Sequence, residues 1–154
     1  LYKASIISIG QLKASFWKEA AEFYRGRLSR SWRIREICLR DADSALPPAM
    51  IKEREGERIM AALPAGHTFI CLDERGEGLS SETLARRLEA FRDVSSPPCF
   101  IIGGAWGLSE VVLSSAALRL SLGPMTLPHE LAQVILWEQL FRVDSILRRS
   151  GYHH

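Results

Sequence analysis

Short apolar, β-rich runs alternate with helix-period patterns from end to end of this 154-residue chain, and that alternation limits the fold more than any other feature. Ala4–Ile9 (ASIISI), Trp32–Leu39, Thr68–Leu72 (TFICL), Cys99–Ile102 (CFII) and Leu118–Leu122 read as five strands. Between them, Ser15–Leu28 carries Phe16, Ala20, Phe23, Tyr24 and Leu28 at helical spacing. Ala49–Leu63 carries Ile51, Ile59, Met60 and Leu63 as its apolar stripe. Ser80 or Ser81 can cap a third helix, with Glu82 near its positive end and Leu84, Leu88 and Phe91 on its inner side. A short helix begins near Ser109, and Pro128 opens a long last one. The stretches 41–48 and 73–78, rich in Asp, Pro and Gly, read as loops. Strands this short and apolar, separated by helices, predict an α/β domain with a mostly parallel sheet and helices on both faces. No repeat, low-complexity tract or linker divides the chain, so a single domain over 1–154 is expected.

The last helix is apolar over a wide arc, from Leu131 through Val134, Leu136, Trp137, Leu140 and Val143 to Leu147. Such a helix buries two sides. The second side is either a partner subunit in a homodimer or the core of the same chain.

Several function classes lack their residues. No apolar run approaches the roughly 18 residues of a membrane span. The first residues, Leu1-Tyr2-Lys3-Ala4, have neither basic leader nor cleavage site, so a cytoplasmic protein is expected. Cys38, Cys71 and Cys99 each lie in an apolar stretch and read as reduced core thiols. His67, His129, His153 and His154 have no companions at ligand spacing, so no metal is expected. The turn Gly103-Gly104-Ala105-Trp106-Gly107 matches no dinucleotide fingerprint, and no phosphate-binding P-loop or G-x-S-x-G elbow occurs.

Charge is uneven. Residues 1–60 hold 12 Lys and Arg against 8 Asp and Glu, a net +4, while the remainder is −2. Arg25, Arg27, Arg30, Arg33, Arg35 and Arg40 crowd one segment, and arginine outnumbers lysine 16 to 4. Arginine suits bidentate phosphate contacts, so the patch reads either as a nucleic-acid contact or as a solvated face.

Ligands in parallel α/β sheets bind beyond the carboxyl ends of strands. Three such ends carry loops here: Leu72-Asp73 onward, Gly103–Gly107, and Leu122–His129. Their motifs are Ile101–Ser109 (IIGGAWGLS), Leu120–Leu131 (LSLGPMTLPHEL) and the terminal Gly151–His154 (GYHH). Together with Ile9-Gly10, Lys52–Ile59 (KEREGERI), Leu72–Gly76 and Leu79–Ala85, they resemble the RlmH (YbeA) family. Members of that family are SPOUT-class methyltransferases acting on N3 of a pseudouridine in 23S ribosomal RNA.

The resemblance covers nearly the whole chain and implies a deep trefoil knot in the C-terminal part, an exception to the rule against knots. It implies S-adenosyl-L-methionine as cofactor, held by Leu72, Gly103, Leu122, Gly123, Pro124, Met125, Thr126 and Leu127. It places Tyr152-His153-His154 near the RNA, with Tyr152 stacking on a base and His153 accepting a proton or touching phosphate. Both histidines also match a purification-tag remnant. His129 is expected to buttress the loop before it, and Trp106 either lines or caps the pocket. Arg142, Arg30, Arg33 and His154 are the expected RNA contacts, Arg142 from across a dimer. The implied partners are 23S rRNA, within the ribosome, and a second copy of the chain. The competing readings are a non-catalytic RNA- or ribosome-binding module and a sibling enzyme acting on transfer RNA.

Overall fold

Every pairing in the sheet is parallel, and the strands lie in the order β2-β1-β4-β3-β5. In this computed structural model, residues 1–153 are described, the last of them by its backbone alone. The strands are β1 (Tyr2–Ile9), β2 (Trp32–Leu39), β3 (Thr68–Gly78), β4 (Pro98–Ile102) and β5 (Leu118–Ser121). The helices are α1 (Ser15–Leu28), α2 (Pro48–Ala62), α3 (Ser81–Asp93), α4 (Glu110–Ser115) and α5 (His129–Leu147), with a 3-10 turn at Gly151–His153.

The period-2 alternation of each strand sorts its side chains onto two cores. Ala4, Ile6, Ile70, Phe100, Ile102, Leu118 and Leu120 pack with α1, α3 and α5 on one face. Ile7, Ile9, Cys71, Cys99 and Ile101 pack with α2 and α4 on the other. Both faces are therefore covered, as the apolar runs predicted. The third helix is capped by Ser80, whose hydroxyl oxygen accepts the Thr83 N–H at 3.1 Å, and Glu82 sits in its first turn.

Three expectations change. The stripe assigned to α1 is split: Ala21 and Leu28 are buried, whereas Phe16 is 61% and Phe23 50% exposed. Met60 likewise faces out from α2, where Ile51, Glu55, Gly56 and Ile59 form the buried side. Cys38 is exposed on edge strand β2; only Cys71 and Cys99 are core thiols. Burial pushes both of those thiols up to about 12.

The last helix meets its wide arc within one chain. No residue from His129 to Leu147 is exposed, because α1 flanks it on one side and α3 on the other. Its apolarity alone therefore does not demand a second subunit. Among the described residues no helix is long and apolar enough to cross a membrane.

Candidate functional site

The order β4-β3-β5 brings three strand ends side by side, and the loops leaving them close around one cleft of about 410 Å³. From β3 come Leu72 and Asp73–Arg75, from β4 the run Ile102–Leu108, and from β5 Leu122, Gly123 and Met125–Leu127. His129 and Ala132 of α5, Lys52 of α2, Glu110 and Leu113 of α4, and Arg119 and Leu120 of β5 complete the lining. Of the eight residues expected to hold the cofactor, Leu72, Gly103, Leu122, Gly123, Met125, Thr126 and Leu127 line this cleft. Pro124 stands in the same loop but outside the lining.

Local rules build each wall. Sequence suggested a loop over 73–78, but β3 leaves its pairing with β5 after Leu72 and rejoins at Glu77, both opposite Leu120, so residues 73–76 are a bulge within a strand that runs on to Gly78. The loop after β5 is strapped to that bulge. Ser121 donates to the Glu74 carbonyl at 3.1 Å, and Thr126 donates to Glu74 Oε2 at 2.8 Å. Beyond β4 the chain folds into a tight turn in which Gly107 N–H donates to Gly104 O at 3.1 Å. A Cβ at Gly103 would stand 2.8 Å from the Gly107 carbonyl carbon and 3.0 Å from Leu108 Cδ2. Glycine is therefore required there by close approach of backbone to backbone.

The lining combines apolar side chains with exposed main chain and mixed charge. Leu72, Ile102, Leu120 and Leu122 supply apolar surface, and Asp73, Glu74 and Glu110 together with Lys52, Arg75 and Arg119 supply both signs of charge. That suits a ligand with a flat apolar part and a zwitterionic part. Trp106 and Met125 stand exposed at the cleft, 54% and 78% respectively. Among the described residues there is no cluster of three or more metal-ligating side chains.

The other expected residues lie elsewhere. Tyr152 folds back on α5, its ring 4.5 Å from that of Phe141 and its hydroxyl donating to Glu138 Oε1 at 3.5 Å. Burial, with Tyr24 and Glu138 adding to it, raises the phenol further above its ordinary range. Arg142 pairs with Glu138 at 2.7 Å and lies 5.1 Å over the Tyr152 ring. Positions 138–142 are nine to thirteen residues from His129, about 14–20 Å along the helix at 1.5 Å per residue. Tyr152 is therefore not brought to the cleft of its own chain. The side chain of His153 and all of His154 lie outside the described residues.

Arg30, in the turn after α1, and Arg33, on β2 beside Lys3, are exposed at the amino edge of the sheet, opposite the cleft. The patch is not uniform. Arg25 is engaged by Glu22 and Glu36, and Arg27 folds over the Phe23 ring.

One residue beside the cleft escaped the sequence reading. Glu55 is 4% exposed, on α2 behind the glycine turn. The signal was present: Ile51, Glu55 and Ile59 repeat every four residues, which puts a carboxyl in the middle of a buried stripe.

A sequence family described as "Predicted SPOUT methyltransferase" matches residues 2–153. The ribosomal RNA large subunit methyltransferase H of Nitratidesulfovibrio vulgaris (strain Miyazaki F) is 49% identical over 150 residues, covering 97% of each chain. The proteins of the same name from Desulfovibrio desulfuricans and Lawsonia intracellularis are 48% identical over 152 residues and 45% over 151. These alignments cover 96% and 97% of this chain, and 95% and 96% of theirs. With a match running from the first strand to the terminal turn, the chain belongs to the RlmH family of SPOUT methyltransferases.

Proposed function

We propose that the protein transfers a methyl group from S-adenosyl-L-methionine to N3 of a pseudouridine in 23S ribosomal RNA, in the cytoplasm and as a homodimer. The observation that carries the reading is the convergence of the loops after β3, β4 and β5 on one cleft, with Gly103 holding main chain close to main chain. The named relatives support the substrate class.

In this reading Leu72 and the backbone of Leu122–Leu127 enclose and read the adenine, while Gly103 lets the chain approach the ligand closely. The knot implied by the family belongs to the same reading, with the straps from Ser121 and Thr126 to Glu74 fastening its loop. When bound, the cofactor supplies a sulfonium-activated methyl group, so the protein's task is alignment rather than covalent chemistry. Trp106 and Met125 offer apolar surface to the incoming base.

The N3–H of the acceptor is a weakly acidic imide whose proton has to leave. Tyr152, its pKa raised, stays protonated at neutral pH and serves to stack. His153 is the residue suited to take the proton.

The dimer is supported by the separation of Tyr152 from the cleft of its own chain, which a second copy would bridge by offering the partner's Tyr152 and the partner's His153. The exposed Phe16 and Phe23 on α1 give such a partner an apolar strip to cover. Arg142, Arg30, Arg33 and His154 are assigned to RNA, Arg142 by exchanging Glu138 for phosphate.

The test is incubation with methyl-labelled cofactor and either free 23S RNA or whole ribosomes, followed by mapping of the modified nucleoside. Label in one pseudouridine at N3 is expected. RNA binding without incorporation would instead favour a non-catalytic ribosome-associated module.

A further inference from the structure

Glu55 joins two loops from behind the cleft. Its Oε2 accepts the Ala42 N–H at 3.1 Å, while Oε1 is buried with no hydrogen-bond partner among the described residues. A Cβ at Gly104 would stand 2.9 Å from Oε1, 3.3 Å from Oε2 and 3.1 Å from Ile9 Cγ2. Gly104 lines the cleft and Glu55 does not, so the orphan oxygen is pressed on the outer side of the cofactor wall. The next residue, Gly56, abuts Ser109, at the other end of the same loop.

A buried acceptor without a donor is unfavourable, and the Ala42 N–H needs only one of the two carboxylate oxygens. Burial pushes the Glu55 carboxyl upward, which the Ala42 N–H only partly offsets. An oxygen held at this disadvantage behind a binding loop is suited to a donor that arrives in another state of the loop. The amide N–H groups flanking Gly104 Cα, those of Gly104 and Ala105, are in the segment nearest to it. Glycine at 104 puts no side chain in the way of a peptide rotation, which would exchange the bridge between Gly104 and Gly107 that closes the resting turn.

We infer that Glu55 is a positioning residue for the cofactor: Oε1, pressed against Gly104, takes a Gly104 or Ala105 N–H when the glycine turn settles on the bound methyl donor, while Oε2 keeps Ala42. The inference rests on the cofactor reading above. In the bound state both carboxylate oxygens act as acceptors, and this sets Glu55 apart from any isosteric filler.

Glu55→Gln has the same shape and one acceptor, so it satisfies Ala42 or the loop but not both. The thermal midpoint of the ligand-free variant is expected to stay level or rise. Its dissociation constants for S-adenosylmethionine and S-adenosylhomocysteine, measured by isothermal titration, are both expected to rise about tenfold. Glu55→Met strands the Ala42 N–H as well and is expected to lower both the thermal midpoint and the affinity. Amide exchange supplies a readout that packing alone does not move: adding S-adenosylhomocysteine slows Gly104 or Ala105 in the parent protein and not in Glu55→Gln. Parent-like binding of both ligands by Glu55→Gln overturns the inference alone. Failure of the parent protein to bind either ligand overturns the cofactor reading, and this inference with it.

Discussion

Thr126 donates its hydroxyl to Glu74 Oε2 at 2.8 Å, across 52 residues of sequence, and so closes the loop after β5 onto the bulge of β3. Both residues are exposed, so the bond contributes little to stability and mainly orders the loop. Thr126→Val is expected to leave the unfolding free energy within about 0.5 kcal/mol of the parent and to weaken cofactor binding by about two- to fivefold. Paired urea melts and isothermal titrations check both halves.

Gly103 admits no side chain. Its Cβ would meet the Gly107 backbone at 2.8 Å, and backbone cannot swing aside as a side-chain tip can. Gly103→Val is therefore expected to abolish measurable cofactor binding and to destabilise the fold by about 1–3 kcal/mol through overpacking. Unimpaired titration by this variant would remove the cleft from consideration as the methyl-donor site.

The thiols give a pH prediction. Burial holds the Cys71 and Cys99 thiols at about 12, well above the ordinary thiol range. A raised folded-state pKa means that the unfolded chain loses its proton first as pH rises. The associated stability is complete below about pH 9 and is lost progressively up to about pH 12. Urea melts from pH 7 to 11 are expected to show this alkaline decline, reduced in a Cys71→Ala, Cys99→Ala double variant. A thiol reagent at pH 8 should label Cys38 alone in the native protein and all three cysteines in denaturant.

Much of this architecture was legible in the chain, for reasons that also explain the misses. α1 and β2 begin and end where their patterns do, because Gly10 and the 41–48 loop punctuate them. Phe16 and Phe23 misled because α1 carries two apolar stripes, and periodicity cannot say which one meets the sheet when the other stays at the surface. Cys38 misled because β2 is an edge strand, and edge position depends on strand order rather than on composition. The cleft was legible through glycine and loop motifs at strand ends. Glu55 was not, since its meaning comes from Gly104, 49 positions away. The placement of Tyr152 on α5, away from the cleft, depends equally on tertiary contacts with Phe141 and Glu138.

A buried anchor sits at the opposite edge of the sheet from the cleft. Asp144 is fully buried, accepts Trp32 Nε1–H at 3.1 Å and pairs with Arg148 at 2.6 Å. Arg148 is half exposed, so solvent screens part of that pair. Asp144→Ala strands the indole donor and is expected to lower stability by about 2–3 kcal/mol, read by urea unfolding, with cofactor affinity unchanged.

The homodimer reading makes a sharper demand than an oligomeric state. If the tail acts on the partner's cleft, a chain with Gly103→Val and an intact tail can be rescued by a chain with an intact cleft and Tyr152→Ala. Each is expected to be inactive alone. Random assortment makes half of the dimers mixed, each with one complete site, so a 1:1 mixture refolded together should recover about a quarter of parent methyl incorporation. A tail acting on its own cleft predicts no recovery at any ratio. The separation of Tyr152 from His129 along α5 leads us to expect the quarter.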